Sequence, residues 1–362
     1  LQVLRRIAIP VARPAIAAGI ALAVMETLAD FGTVSYFGVQ TFTTGIFKAW
    51  FSQGNLALAG QLALMLVGAA LLCLAIEQQS RSRARYFQSA TRSHKRARIV
   101  SAKRWIAFVA CAMPFVLGFV LPIAMLVRLA LREDAAFDSR FLALSGNSFL
   151  LAAIAAVLTV LCATALAYAA RRSRTGPAAT FNRLASTGYA IPGLVIAVGI
   201  LIPMTSVDRG LSSVLESLTG KPVPLLLSGT AVFLLYAYLV RFLGIALQSA
   251  EAGLAKITPR MEDAARSLGT DARGTLWRVH LPMLRGSLAM ALLLVFVDVL
   301  KELPATLVMR PFNFDTLAVR AYTLAMDERL GEAALPALLI IAVALVPVLL
   351  ASRALVGARS SA

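Results

Sequence analysis

Four carboxylates interrupt otherwise apolar stretches of this chain: Glu26, Asp30, Asp298 and Glu302. A charge within hydrocarbon is costly, so acids in such places face a cavity or a partner. Glu26 and Asp30 stand four residues apart, which puts them on one helix face. Converging carboxylates are hard oxygen ligands and suit a hard cation, which makes these four candidates for lining a path through the protein. Read differently, they bond to neighbouring helices, with Lys301 neutralising one of them and Arg241 a further counter-ion. No metal ligand is assigned. The remaining reactive side chains are sparse. His94 and His280 are the only histidines, and Cys73, Cys111 and Cys162 stand singly in apolar stretches, as small buried residues do. No GxxxxGK[ST] phosphate loop occurs. This inventory excludes a histidine-based catalytic or metal site and ATP hydrolysis by this chain. No cofactor and no enzymatic activity are expected, and energy has to come from another chain or an ion gradient.

A second constellation is polar and lies between long apolar segments. Asp263-Ala264-Ala265-Arg266-Ser267-Leu268-Gly269 is followed, nine residues on, by Val279-His280-Leu281-Pro282. Thr258-Pro259 is a helix start, with Thr as N-cap and Pro at the first helical position, and Gly269 is a stop because it takes positive φ. The expected helix covers 259–268. Its apolar positions Ile257, Met261, Ala264, Ala265 and Leu268 recur at helical spacing, and the two alanines keep that face slim enough to enter a groove on another protein. Asp271 is placed to cap a second short helix carrying Leu276, Trp277 and Val279. An amphipathic helix lying on lipid would carry bulky Trp, Phe or Leu on its apolar face instead.

The elements that must position these residues cross a bilayer. Of 362 residues 59% are hydrophobic, far above a soluble domain. The apolar runs reach the ~20 residues a span requires. Eight spans are expected, near 15–37, 56–77, 105–131, 147–170, 184–205, 224–247, 286–308 and 333–352. The net charge of +17 is uneven. Between the second and third spans, Arg81, Arg83, Arg85, Arg92, Lys95, Arg96, Arg98, Lys103 and Arg104 occur without one acid, which places that connector in the cytoplasm. Arg171, Arg172, Arg174, Arg183 and the basic residues from Lys256 to Arg285 fall on the same side, whereas the loops at 132–146, 206–223 and 309–332 are mixed or acidic. Basic residues flanking spans set topology, so no nucleic-acid partner is expected.

An ungapped offset of 272 residues, from Pro10 to Pro282, also pairs Arg6 with Arg278, Glu26 with Asp298, Asp30 with Glu302, Thr44 with Thr316 and Lys48 with Arg320. Both copies begin on the basic side, as parallel repeats do. The expected organisation is residues 1–80 as the end of a first repeat with two spans, 81–104 as a basic linker, and 105–362 as a complete second repeat with six spans. Lacking an initiating Met, the chain reads as a fragment, with about 170 residues and four spans expected upstream.

The 263–282 pattern resembles the EAA loop of ABC-importer permeases, (E)AAxxxGx9IxLP, with Asp263 for the usual glutamate and Val279 for isoleucine. Lys301-Glu302-Leu303-Pro304 and Arg310-Pro311-Phe312-Asn313-Phe314-Asp315 resemble the fused two-half permeases of ferric-iron importers, with thiamine, phosphonate and polyamine permeases close by. The resemblance implies an all-α polytopic membrane protein with the type I importer fold, in a bacterial cytoplasmic (inner) membrane. It implies an ABC ATPase dimer gripping the loop through Asp263, Ala264, Ala265, Gly269, Leu281 and Pro282. It also implies a periplasmic or lipid-anchored solute-binding protein that delivers ferric iron, and alternating access through the spans. A thiamine-like cation would also want aromatic walls. A channel or secondary transporter is the rival reading: the parallel repeat alone does not exclude it, but it needs no such docking loop.

Overall fold

The computed structural model describes residues 6, 8–82, 103–133, 138–172 and 177–360. Apart from its ends, the basic linker at 81–104 lies outside these residues, as does Arg174. The described residues form α-helices and no strand, in the order α1 (Ile9–Ala29), α2 (Gly32–Tyr36), α3 (Phe42–Phe47), α4 (Leu56–Ser82), α5 (Lys103–Phe115), α6 (Leu121–Arg132), α7 (Ser139–Arg172), α8 (Pro177–Ser186), α9 (Gly193–Thr219), α10 (Ala231–Leu254), α11 (Pro259–Ser267), α12 (Ala272–Thr275), α13 (Leu281–Leu300), α14 (Pro304–Met309), α15 (Leu317–Met326) and α16 (Leu330–Ser360). Eight stretches are long and apolar enough to cross a membrane: α1, most of α4, α5 with α6, α7, α9, α10, α13 with the turn before it, and α16 through Leu350. The chain is an all-α, polytopic membrane protein.

Several expected boundaries move, each for a local reason. The first span ends at Ala29, where Asp30 turns extended, and not at 37. The fifth starts at Gly193 because Pro192 occupies the N-cap in an extended conformation, and it continues to Thr219. The sixth begins at Ala231, where the Thr230 hydroxyl accepts from the Val232 N–H at 3.3 Å. The seventh was expected to run unbroken through 308. It stops at Leu300 and resumes at Pro304, whose ring lacks the N–H a continuous helix needs.

Small residues explain the packing of the centre. Lipid is as apolar as leucine, so helices in a bilayer associate where backbones come close. On α7 the fully buried positions include Ala152, Ala156, Ala163 and Ala167, a stripe that faces α10 and α13. Gly244 of α10 lets the Ser186 carbonyl approach to where a Cβ would stand only 2.6 Å away. A second cluster joins α3 and α4 to α9 through Ile46, Ala63, Leu66, Leu194 and Val198. By contrast α5 and α6 have no fully buried residue among those described, although α6 packs along α16. Asp208, expected in an outer loop, is instead buried in α9. Its carboxylate accepts from the N–H groups of Leu226, Leu227 and Ser228 at 2.7–3.1 Å, holding the segment that leads into α10.

Candidate functional site

The polar loop folds much as its residues dictate. Pro259 opens α11 at its first turn, although the Thr258 hydroxyl makes no capping bond. The helix ends at Ser267, one residue short of the expected 268. At its end the Thr270 N–H donates to the Ala265 carbonyl at 3.1 Å and the Gly269 N–H to the Arg266 carbonyl at 2.9 Å. This pair of hydrogen bonds is a Schellman stop, and it requires the left-handed Gly269, whose φ is 81°. Asp271 caps the next turn, accepting from the Gly274 N–H at 2.7 Å. Leu281 and Pro282 open α13.

The two alanines of the motif part company. Ala264 is exposed, but Ala265 is 7% exposed and points into the chain's own body, so it is no part of an outward face. Ile257 is likewise buried. The outward apolar surface consists of Met261, Leu268 and, from the following turn, Trp277; Leu268 is 84% exposed. Asp263 is exposed and pairs loosely with Arg266 at 3.9 Å.

Sequence reasoning missed what holds this loop. Glu262, beside the Asp263 of the motif, accepts from Arg171 Nε at 2.8 Å, and its Oε1 lies 3.2 Å from Nε2 of His280. Arg171, at the end of α7, donates its other nitrogens to the Leu254 carbonyl at 2.5 Å and the Ile257 carbonyl at 2.7 Å. Leu254 ends α10, where a cation is favoured, and Ile257 lies in the connector to α11. His280 is 3% exposed, and the Tyr168 ring meets it edge-on at 5.6 Å. A basic residue ending one span and a histidine just before Leu281-Pro282 were the available signals.

Of the four apolar-segment acids, three reach one small cavity of about 40 Å3, which Glu26, Tyr189, Arg241, Asp298, Lys301 and Glu302 line. Asp30 does not. Its carboxylate accepts from the Thr33 N–H at 3.3 Å and so starts α2. Glu302 is 5% exposed; Oε2 lies 3.2 Å from Arg241 Nε, and Oε1 accepts from the Ala305 N–H at 3.2 Å. The pair crosses directly over Gly193, where a Cβ would collide with both side chains. Asp298 pairs with Lys301 at 3.0 Å. Among the described residues no three His, Cys, Asp or Glu side chains converge as a metal shell would. Of the four acids, two are thus paired with cations, Glu26 is exposed and Asp30 is a cap.

No protein-family model matches the chain. The Fe(3+)-transport system permease protein FbpB 2 of Haemophilus influenzae is 28% identical over 348 residues, covering 94% of this chain and 66% of that protein. The ferric transport system permease protein FbpB of Actinobacillus pleuropneumoniae is 26% identical over 49% of this chain and 23% of its own length. The chain thus spans less than two thirds of these two relatives. A putative 2-aminoethylphosphonate transport system permease protein, PhnV, of Salmonella typhimurium is 26% identical over 67% of this chain and 91% of that one. In three dimensions the chain is similar to one in a crystal structure of a bacterial alginate ABC transporter in complex with a periplasmic protein bound to alginate pentasaccharide, with a TM-score of 0.53, 15% identity, and 69% of this chain and 93% of that one covered. Related in sequence to bacterial transport permeases and similar in fold to an ABC transporter, the chain is a multi-pass protein of the bacterial cytoplasmic membrane that resembles ABC-importer permeases, the ferric-iron ones among them.

Proposed function

We propose that this chain is the membrane-spanning subunit of a binding-protein-dependent ABC importer for ferric iron. Its α11–Gly269–α12 loop docks in an ATPase subunit, and the spans alternate between two facings. The observation that carries this reading is the loop itself: a rigidly stopped short helix on the basic side, presenting Met261, Leu268 and Trp277 outward while Ala265 anchors it inward. An ATPase dimer supplies hydrolysis, and a solute-binding protein delivers substrate from the side of the loops at 132–146 and 309–332. Residues 1–80 and 105–362 are read as two parallel repeats joined by the basic linker, because α1 and α13, and likewise α2 and α14, begin 272 residues apart. Asp263, Ala264, Gly269, Leu281 and Pro282 shape the docking element, with Ala265 seating it. Glu26 and Asp298 border the path, while Glu302 and Asp30 serve the helix breaks.

A second cargo is suggested by the similarity to a putative 2-aminoethylphosphonate transport permease. Reconstituting the intact permease with its ATPase and binding protein, then measuring uptake of ferric iron against 2-aminoethylphosphonate, decides between them. Iron uptake dependent on ATP is the expected result. Leu268→Glu should weaken capture of the ATPase about tenfold, as loss of a buried interface anchor does. Wild-type capture by that variant would remove the docking reading.

A further inference from the structure

We infer that Arg171, Glu262 and His280 form the mechanical link that carries a displacement of the loop into the membrane-spanning helices, with Arg171 as the positioning residue. This role rests on the docking of α11 proposed above and adds the route by which docking is felt. The three side chains come from three elements: Arg171 from α7, Glu262 from α11, and His280 from the turn that opens α13. The same guanidinium also holds the C-terminal carbonyls of α10 and the connector after it, through Leu254 and Ile257. One planar group thus ties the loop helix to α7 and α10, and the Glu262 oxygen it binds also faces His280.

Beyond the small buried Ala265, the rest of α11 has little hold on the body. Met261, Asp263, Ala264, Arg266, Ser267 and Leu268 are all exposed, and the helix is bounded by an extended Thr258 and a left-handed Gly269. Without the guanidinium, a push on its outer face would be absorbed by rotation about those two ends. With it, the push reaches α7, α10 and α13, the helices that pack on one another at the centre of the protein. Arg171 and Glu262 are partly accessible, at 23% and 21% of their side chains, so altering them leaves the buried core of the spans intact.

The test uses the intact permease with its ATPase and binding protein in proteoliposomes, reading ATPase capture, hydrolysis and uptake together. Glu262→Gln and Arg171→Glu should keep capture and basal hydrolysis within about twofold of wild type while uptake per ATP hydrolysed falls roughly tenfold, the scale on which alterations along a coupling route act. A wild-type ratio in the single variants would overturn the link. A fall in capture matching that of Leu268→Glu would also overturn it, by assigning the three residues to the docking surface. If Leu268→Glu itself binds ATPase normally, the docking reading fails independently. Should a single variant not accumulate, Arg171→Lys carries the test, because it keeps the charge and loses the fork; its ratio should drop roughly threefold, and an unchanged one would refute the role.

Discussion

Residues 9–82 and 281–360 unfold the same plan twice: a span, a break, a short helix, a second helix and another span. What differs is how firmly each break is held. In the later copy Glu302 is sealed between Arg241 and the Ala305 N–H, and the Thr306 hydroxyl bonds Tyr238 at 2.6 Å inside the core. In the earlier copy Asp30 does no more with its side chain than cap Thr33, and Ser35 meets Tyr322 at 2.9 Å in a partly buried place. Position 280 is a buried histidine 3.2 Å from Glu262 in one copy and, at the same offset, exposed Ala8 in the other. Equal backbone layouts therefore do not make equal sites, because the partners across the helix interface decide what an acid does.

Stability measurements on paired variants would break or sharpen that contrast. Removing one member of a buried ion pair leaves the other uncompensated, so Arg241→Leu should cost ~3–5 kcal/mol. Asp30→Asn, which loses only a cap, should cost under about 1 kcal/mol. Thermal melts in detergent that put the two within 1 kcal/mol of each other would erase the distinction. Ala265→Trp comes next, at ~1–3 kcal/mol, since its side chain has to fit where the chain already packs. Leu268→Trp on the outward side should stay within ~0.5 kcal/mol; equal losses would mean that the loop has no inner and outer side. The smallest contrast is in the hydroxyls. Tyr238→Phe should cost ~1 kcal/mol by removing the buried Tyr238–Thr306 hydrogen bond, with Thr306 keeping its bond to the Glu302 carbonyl, and Tyr322→Phe noticeably less. The reverse order would show that the earlier break is the tighter one.

Hydropathy alone located all eight crossing helices, because a bilayer demands length and apolarity and little else. Gly269 and Asp271 were equally legible, since a positive φ and a helix cap are local requirements. The break at 301–303 was hidden in a continuous apolar run whose only warning was Pro304. Pairings were the least readable. Arg241 stood out as a counter-ion, but its choice of Glu302 over Asp298 depends on α10 crossing α9 at Gly193. Glu262 gave no sign at all, because its partner Arg171 lies on another span and the motif directs attention to its neighbour Asp263. The alanine spacing of α11 showed a slim face without showing that half of it turns inward.

The length of α7 has its own consequence. At ~1.5 Å per residue its 34 residues reach roughly 50 Å, well beyond the ~30 Å of a hydrocarbon core. Its alanine stripe is a fulcrum partway along, and Arg171 sits at the far tip of the arm. Rocking α7 by about 10° about the middle of that stripe, ~17 Å from Arg171, would sweep the tip sideways by about 3 Å, roughly half the pitch of one helical turn. A modest swing outside the bilayer thus becomes a much smaller, geared-down motion where Ala152 and Ala156 meet their neighbours, and close-packed helices tolerate steps of that size.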